Sequence, residues 1–525
     1  MKKIITYSLL FFSILMSCEV TDFNLQDNPN ALTPLSANPD YVLNEIQIKF
    51  SEAMGEFIEN TDRIMRYKTM NGTYSEMASA DALEDAWSDV YEISQNVVII
   101  EEYVENNPDF TFHRGIARLL QAYAMATLVD YLGDIPYSEA NNPAIFNPVA
   151  DDDEAIYTNL LESIDLAITD VNNAEVSPLT DLYYGADKTA WIKLANSLKL
   201  KMYINTGNQT AVSALISTNN LINSTDTDFE FKYSTATAPD SRHPFYSSAS
   251  YGAEDFSSYI GNNFMWMLKD SKSIKDPRLR YYLYRQTNVN PQDDTSGNYL
   301  RCEGDPSFDY CYVGDYYWGR DHGDNGSRPA DGFKKTTYGV YPIGGAFDED
   351  NAVPANETSN MGGAGIAPIL LSSYVYFLKA EAVLSLGVSG DAWAYIESGI
   401  RESMAKVLGF NAATASSSYA ATTTDIDSYV SIVSTEFNAA SDSGKLDIVM
   451  REYYLSGFGN AIEAYNAYRR TGYPSDLQVP IKNKDVPFPR TFLLPSHAVN
   501  SNASLNQRAT TNQVFWDTNP AGFIQ

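Results

Sequence analysis

Between residues 81 and 207 the sequence repeats one pattern four times, an apolar stripe at three- and four-residue spacing that ends at a polar or glycine-containing break. The stripes lie in the segments 81–105, 112–136, 151–171 and 187–207. Residues at this spacing share one face of a helix, and an apolar face must be buried against another element. Four such helices in succession predict stacked helical hairpins.

A region of different composition follows these helices. From about residue 208 to 365 the helical period fades, and Gly, Pro, Asn, Asp and Tyr dominate. Because ordinary connections are much shorter, this loop-rich insert is predicted to be functional or to form its own subdomain. Helical spacing returns at 366, with Pro368 in the first turn of the next helix. The sequence thus predicts a mainly α fold, in which tetratricopeptide-like helical pairs form a scaffold and the insert carries the ligand face.

The chain begins with the features of an export signal. Lys2 and Lys3 precede an apolar run that ends at Met16, and a small residue followed by Cys18 closes it. This order is typical of a signal peptide, and LMSC resembles a lipoprotein box; an unlipidated signal peptide and a short core helix are the alternatives. We predict a signal peptide at 1–17, a lipidated tether at 18–39 and a single domain at 40–525. In that domain, the helical blocks are 40–207 and 366–472, the loop-rich subdomain is 208–365 and the tail is 473–525.

The net charge excludes one class of partner. Acidic residues outnumber basic ones by 67 to 36, which gives a formal net charge of −31. Such a surface repels phosphate backbones, so nucleic-acid binding is excluded. The same charge favours a neutral ligand over a sulfated or uronic one.

Two cysteines remain in the body of the protein if Cys18 carries lipid. Cys302 and Cys311 lie nine positions apart in the insert. In an exported protein such a pair favours a disulfide, although spacing alone does not test the geometry. A zinc site is not predicted, because the four histidines lie on unrelated segments. No cofactor is predicted.

The stretch YYWGRDHGDNG, residues 316–326, combines three aromatic residues with an arginine, a histidine and two aspartates. Between a disulfide and a rigid turn, the rings of Tyr316, Tyr317 and Trp318 would be held at low entropic cost. Aromatic faces stack on flat ligands, including the apolar faces of pyranose rings. We therefore predict Trp318, and then Tyr317, as the first ligand contacts, with ordinary core packing as the alternative.

Four further aromatic residues are weaker candidates for ligand contact. Trp266 lies in the helix-like segment NNFMWMLKD, where core packing is the alternative. Tyr246 and Tyr251 lie in the polar loop HPFYSSASYG, and Tyr74 precedes the helix of the segment 81–105. These side chains are predicted to line the same surface or pocket.

The polar part of the stretch fits a structural role. Arg320, Asp321 and Asn325 can tie the loop by a salt bridge and Asx-turn hydrogen bonds, which leaves His322 structural. A calcium site at Asp321 and Asp324 is the alternative, but the EF-hand pattern started at Asp321 meets glycine where acidic ligands are required. We favour a scaffold role, with ligand contact by Arg320, Asp321 or Asn325 left open.

Catalytic motifs are absent from the sequence: it contains no GxSxG, no HExxH and no P-loop. A glycosidase needs two carboxylates at a defined separation. With 67 acidic residues some pair will always fit, so the number of acidic residues says nothing about catalysis. We therefore predict no enzymatic activity.

Several motifs follow one another along most of the chain. They are DNPNALTP (27–34), WSDVYEISQN (87–96), LVDYLGDIPYSEA (128–140), WIKLANSLKLKMYI (191–204), DPRL (276–279), CEGDPSF (302–308), GRDHG (319–323), YGVYPIGGAFD (338–348), ILLSSYVYFLKAEA (369–382), EAYNAYRRTGYP (463–474) and FPRTFLLP (488–495). As an ordered set they resemble the SusD/RagB family of Bacteroidetes outer-membrane lipoproteins, in particular its SusD-like branch.

This resemblance implies a fold, a location and a role. It implies a lipid-anchored outer-membrane protein, facing the cell exterior, that captures oligosaccharides without cleaving them. It also implies a partner, a SusC-like TonB-dependent transporter on which the protein sits as a lid. A RagB-type peptide binder of the same transport system is the alternative, and would rely on backbone pairing in a less aromatic groove.

Overall fold

The computed structural model describes residues 38–247, 259–296, 302, 304–326, 331–355 and 360–525. The predicted signal peptide, the lipidation site Cys18, nearly all of the tether and Tyr251 lie outside these ranges. Within them, no helix is long and apolar enough to span a membrane.

The N-terminal block consists of helices whose ends follow from their capping residues. They are α1 (Pro39–Ile64), α2 (Tyr74–Met77), α3 (Glu84–Asn106), α4 (Thr111–Leu132), α5 (Asp153–Asn173), α6 (Lys188–Asn205) and α7 (Gln209–Thr218). The side chains of Asn38, Asp152 and Asp187 accept backbone N–H groups in the first turns of α1, α5 and α6. Gly133, with a φ of 74°, ends α4, because glycine adopts this region without a Cβ clash.

Successive long helices of this block pack against one another. α1 packs on α3, α3 on α4, α4 on α5 and α5 on α6. The antiparallel direction is clear for α1 and α3, where Lys49 binds Asp89 at 2.9 Å and Asn60 donates to the carbonyl of Ala82 at 2.6 Å. The predicted mainly α fold built from helical pairs is confirmed.

The insert contains short elements and two small sheets. Its helices are α8 (Pro244–Ser247), α9 (Asn262–Lys269) and α10 (Leu279–Tyr282), and its strands are β1 (Phe229–Lys232), β2 (Leu283–Tyr284) and β3 (Thr337–Tyr338). β1 pairs antiparallel with β4 (Ile366–Leu370), and β2 pairs antiparallel with β3. The first pairing ties the insert to the start of the C-terminal block.

The strand β4 corrects the prediction that a helix begins at 366. Pro368 lies opposite Glu230 in the β1–β4 pair, and the next helix begins at Ser372. The cause is physical: all five residues of β4 are buried, and a short buried apolar run fits a strand as well as a helix.

The C-terminal block and the tail complete the scaffold. Their helices are α11 (Ser372–Leu386), α12 (Ala392–Gly409), α13 (Thr423–Ala439), α14 (Asp442–Ser456), α15 (Ala461–Thr471) and α16 (Ser496–Ser501). One large cluster of buried apolar side chains includes Phe229 of β1, Tyr282 of α10, Tyr453 of α14 and Trp516 of the tail. The two blocks, the insert and the tail therefore share a core.

Candidate functional site

The rings of Trp318 and Tyr317 are buried, so the prediction that they contact ligand is wrong for this structure. Trp318 has 0% of its surface exposed and Tyr317 has 3%. The indole Nε1 of Trp318 donates to the carbonyl of Val289 at 2.8 Å, and its backbone N–H donates to Oγ1 of Thr336 at 2.9 Å. Core packing, the alternative for both rings, is the role that the structure shows.

A charged network fixes the ring of Tyr317. The guanidinium of Arg285 lies 5.1 Å from the ring centroid, and its Nε donates to Oδ2 of Asp348 at 2.7 Å. Burial raises the pKa of the Tyr317 hydroxyl, and the nearby charge of Arg285 only partly opposes this rise. The phenol is therefore protonated and serves as an anchor beneath the surface.

Tyr316 differs from its two neighbours because its ring is 39% exposed. Its φ is 68°, and the preceding Gly314 and Asp315 have φ values of 78° and 53°. Bulky residues are strained in this region of backbone conformation, so the turn must be held by its surroundings. The side chain of Asn290 contributes by accepting the backbone N–H of Tyr316 at 2.9 Å.

Several partly exposed rings surround the loop between Cys302 and Cys311. These two cysteines are joined by a disulfide, with their Cα atoms 5.5 Å apart. A small cleft of about 20 Å³ beside the disulfide is lined by Phe308, Tyr312 and other residues, so there is no deep cavity at this place. We call its rings the aromatic platform: Trp266, Phe308, Tyr310, Tyr312 and Tyr316.

Trp266 joins the platform from helix α9. Its ring centroid lies 5.1 Å from that of Tyr310, with an angle of 37° between the planes. The other apolar side chains of α9 are buried, whereas Trp266 is half-buried. The helix therefore packs its remaining apolar residues into the core and leaves the indole at the surface.

Asp321 fastens the platform loop to the rest of the molecule. Its carboxylate accepts hydrogen bonds from Nδ2 of Asn262 at 2.8 Å, from the N–H groups of Asp309 at 2.9 Å and Tyr310 at 3.1 Å, and from Nε2 of Gln478 at 3.1 Å. Burial raises the pKa of Asp321, while these donors lower it. Because protein donors occupy both oxygens, Asp321 has a scaffold role.

Arg320 and His322 also bind protein groups. Nη2 of Arg320 donates to Asp331 at 2.9 Å, and its guanidinium lies 4.3 Å from the ring centroid of Tyr259. Nε2 of His322 lies 3.1 Å from the hydroxyl of Tyr74. Burial lowers the pKa of His322 well below its usual range, so the imidazole is neutral. These contacts agree with the scaffold interpretation of the motif.

The remaining sequence candidates lie at different depths. Tyr74 is 1% exposed, so the prediction of ligand contact is wrong for this residue as well. Tyr246 is half-buried, and its hydroxyl donates to Oδ1 of Asn360 at 2.7 Å, in a different part of the insert from the platform. Asn325 is exposed.

At the predicted calcium place, protein groups occupy both oxygens of Asp321 and one oxygen of Asp324. The oxygens of Asp321 accept the hydrogen bonds described above, and Oδ1 of Asp324 accepts the N–H of Gly326 at 2.9 Å. In the ranges that the structure describes, the acidic side chains close enough to share a cation are Asp134, Asp152 and Asp153.

Phe308, Tyr310 and Tyr312 are platform residues that the sequence candidates do not include. A signal for them exists, because the three rings alternate with other residues in the segment FDYCY. The backbone bends at residues 309–311, so the rule for alternate positions of a strand does not apply to them. Three aromatic residues within five positions at a cysteine would still have indicated an aromatic surface next to the disulfide.

Two family models match the chain. The model described as "Starch-binding associating with outer membrane" matches residues 29–313, more than half of the chain. The model described as "Susd and RagB outer membrane lipoprotein" matches residues 345–493. No protein of curated function matches the chain at a significant level.

Solved structures share the fold over nearly the whole chain. A chitin-binding protein is 20% identical, with a TM-score of 0.66, and the match covers 92% of this chain and 100% of that one. A SusD/RagB family protein from Bacteroides thetaiotaomicron is 18% identical, with a TM-score of 0.66 and the same coverage. A SusD homologue from Bacteroides uniformis is 16% identical, with a TM-score of 0.63, over 90% of this chain and 99% of that one. At these identities the likeness shows the fold alone.

Proposed function

The chain belongs to the SusD/RagB family of nutrient-binding outer-membrane lipoproteins, and from this premise we propose that it captures an oligosaccharide on the aromatic platform. The observation that carries the proposal is the set of partly exposed rings held beside a disulfide. Exposed aromatic side chains are otherwise unfavourable in a folded protein, and a group of them marks a binding surface.

The platform provides two kinds of interaction. The rings of Trp266 and Tyr310 can stack on the apolar faces of pyranose rings. Asp309, exposed beside them, and Asn290, next to the turn of Tyr316, can form hydrogen bonds with sugar hydroxyls. Because the disulfide, Asp321 and Arg285 already fix this surface, little conformational entropy is lost on binding.

Binding without cleavage is part of this proposal, and its support is the family description, which names binding. A glycosidase needs one carboxylic acid to protonate the leaving oxygen and a second carboxylate across the bond. Beside the platform rings, Asp321 is enclosed by donors and is unsuited to either task, whereas Asp309 and Asp315 are exposed. The proposed role is therefore capture, and a SusC-like TonB-dependent transporter is the proposed recipient of the ligand.

Membrane attachment is proposed through Cys18, with the body facing the cell exterior. The support is the lipoprotein box in the sequence together with the family description. The test is metabolic labelling with a palmitate analogue, comparing the natural chain with Cys18→Ala. Label on the natural chain and none on the variant is expected; equal labelling would place the lipid elsewhere.

The experiment for glycan capture is calorimetric titration of the protein from residue 19 onward with neutral oligosaccharides and short peptides. Chito-oligosaccharides belong in the series because one structural neighbour is described as chitin-binding. We expect heat from one glycan series and unchanged sugars on chromatography after incubation. Heat from peptides alone would replace this proposal by the RagB-type alternative, and released products would show an enzyme.

A further inference from the structure

A groove of about 940 Å³ lies between the N-terminal helices and the segment that follows β1. Its floor is formed by α1 and α3, and its opposite wall by residues 231–245. Its volume lies at the upper end of the range of about 300–1,000 Å³ that is typical of ligand sites. Among the described residues that line it, none belongs to the aromatic platform.

The floor of the groove is acidic. Its carboxylates belong to Glu52, Glu56, Glu59, Asp85, Asp89 and Glu92. Lys49 lies among them, with its Nζ at 2.9 Å from Asp89, 3.1 Å from Glu52 and 3.3 Å from Glu92. In the described part of the chain, neither Glu56 nor Asp85 forms an ion pair with a lysine or arginine. The floor therefore keeps an excess of negative charge.

The pKa values of two of these carboxyl groups, those of Glu56 and Asp89, are raised because the groups are crowded and partly buried. Burial is the largest cause of the raised pKa of Glu56, and the charges of Glu59, Asp85 and Asp89 raise it further. Burial also raises the pKa of Asp89, against the effect of Lys49. A cation placed between these groups would relieve their mutual repulsion.

The opposite wall is a row of rings. Ring centroids are 5.1 Å apart for Phe231 and Tyr233, 4.8 Å for Tyr233 and His243, and 5.4 Å for His243 and Phe245. Burial lowers the pKa of His243 to about 3, so this side chain adds no positive charge.

The basic residues of the wall are paired with acids, Lys232 with Glu230 at 3.9 Å and Arg242 with Asp240 at 2.7 Å. Nζ of Lys68 already lies 3.3 Å from the ring centroid of Phe245. Because aromatic faces attract ammonium and guanidinium groups, the wall and the floor favour the same kind of ligand.

Gly55 leaves the middle of the floor without a side chain. It lies in the interior of α1 and lines the groove, and a Cβ at this position would meet no atom within 4 Å. A glycine inside a helix destabilises it by about 0.5–1 kcal/mol relative to alanine. The protein therefore keeps space over the floor although a larger side chain would fit there and stabilise the helix.

We propose that this groove binds a basic polypeptide segment, whose lysine or arginine side chains lie between the carboxylates of α1 and α3 and the rings of residues 231–245. A long side chain suits the site because Glu56 is half-buried on the floor. The apolar stem of lysine or arginine can pack on the rings while the charged end reaches the carboxylate. An amino sugar carries its ammonium group directly on a rigid ring, without such a stem.

Each row of carboxylates also matches a chain of basic residues. Glu52, Glu56 and Glu59 are three or four residues apart on α1, so neighbouring carboxylates start about 5–6 Å apart. Asp85, Asp89 and Glu92 repeat this spacing on α3. Side chains at every second position of an extended peptide lie on one face, about 7 Å apart, and can each reach a different carboxylate. The net charge of −31 would attract such a segment over a distance.

The test is titration of the full mature chain in detergent with a short peptide of alternating lysine and serine. The same peptide with glutamate in place of lysine, and a glucosamine oligomer, are the comparison ligands. Two variants address the site: Glu56→Gln/Asp85→Asn removes charge without changing shape, and Gly55→Leu fills the space above the floor. The control is Glu105→Gln/Glu162→Gln, which removes two exposed charges outside the groove.

We expect the lysine peptide to bind the natural chain. Each site variant should bind it at least about tenfold more weakly, because it has lost close charge pairs or the volume of the site. The control should bind as the natural chain does, and thermal unfolding should show all variants folded. Failure of the lysine peptide to bind, equal binding by the site variants, or preference for the glucosamine oligomer would overturn the proposal. Competition between the peptide and a platform-bound oligosaccharide would also overturn it, whereas failure of glycan binding alone would leave it intact.

Discussion

Trp318 and Trp266 carry the same indole in different surroundings. The ring of Trp318 is wholly buried and donates to a backbone carbonyl, whereas the ring of Trp266 is half-buried beside Tyr310. Replacement of a buried ring leaves a cavity, and replacement of a surface ring mainly removes a contact. Substitution of Trp318 therefore tests its role in stability, and substitution of Trp266 tests its role in ligand binding.

The first prediction concerns this pair. Trp318→Ala is expected to lower the free energy of unfolding by about 3–5 kcal/mol, because it removes a buried aromatic side chain. Trp266→Ala should lower it much less. Urea denaturation followed by circular dichroism measures both values. Equal losses for the two variants would contradict the assignment of Trp318 to the core and of Trp266 to the surface.

Local sequence predicts which of these rings are candidates but not which ones are exposed. Trp266 and Tyr316 were among the candidates, and the structure places both at the surface. Trp318 and Tyr317 were preferred, yet their rings are covered by groups from distant segments, among them Val289 and Arg285. No pattern within 316–326 carries this information, since burial is decided by tertiary contacts.

At the scale of elements, the long helices were predictable and the short strand was not. The stripes in 112–136 and 187–207 correspond to α4 and α6 within a few residues, because periodicity and end signals coincide there. The sequence of β4 is compatible with the start of a helix, because the partner that makes it a strand, β1, lies in a distant part of the chain. Pairing over such a separation leaves no local signal.

The second prediction concerns the loop closed by Cys302 and Cys311. The double variant Cys302→Ser/Cys311→Ser should lower the free energy of unfolding by about 2–3 kcal/mol, from the loop-closure entropy of a short loop. It should also weaken glycan binding, because Phe308 and Tyr310 must then be ordered by the ligand. Amide hydrogen exchange in residues 304–312 measures the loosening, with α4 as the internal control. Unchanged exchange in this loop would show that Asp321 alone holds the platform.

At the scale of the whole molecule, α1 lies between the platform and the N-terminal end of the described body. Its 26 residues span about 39 Å at the helical rise. The residues just beyond its C-terminal end support the platform, since the carbonyl of Met70 accepts from Gly323 at 3.1 Å. The proposed lipid tether, residues 18–37, would span at most about 70 Å when extended, which is longer than α1.

The third prediction is that Asp62 and Asp228 each contribute a fall in stability between pH 4 and 7. Burial raises the pKa of Asp62 and of Asp228 to about 7, against the opposing charges of Lys68 and Lys406. In the unfolded chain both groups lose their protons near pH 4, so between pH 4 and 7 the folded state binds more protons. Their contribution to the free energy of unfolding then falls as pH rises, by at most about 1.4 kcal/mol per pH unit for each group. Buried histidines such as His243, whose pKa burial lowers to about 3, contribute a rise over part of the same range.

The substitution Asp62→Asn isolates one of these groups. In urea denaturation at several pH values from 4.5 to 7.5, the free energy of unfolding of the variant minus that of the natural chain should rise with pH, and this difference should level off above pH 7. The natural chain serves as the reference for every other titrating group. Parallel curves throughout would show that Asp62 is ionised in the folded state across this range.

The central claim is that the aromatic platform binds an oligosaccharide, and one calorimetric comparison tests it most directly. The glycan that binds the natural chain best is titrated into Trp266→Ala, Tyr310→Ala and Tyr41→Ala. Tyr41 is a suitable control because it is 72% exposed on α1 and lies outside the platform. Stacking of a nucleic-acid base on an aromatic side chain is worth about 1–3 kcal/mol. A similar loss of sugar stacking would weaken glycan binding by about tenfold or more in each platform variant. The affinity of Tyr41→Ala should be unchanged. Equal affinity in all three variants would contradict the claim and place the ligand on another surface.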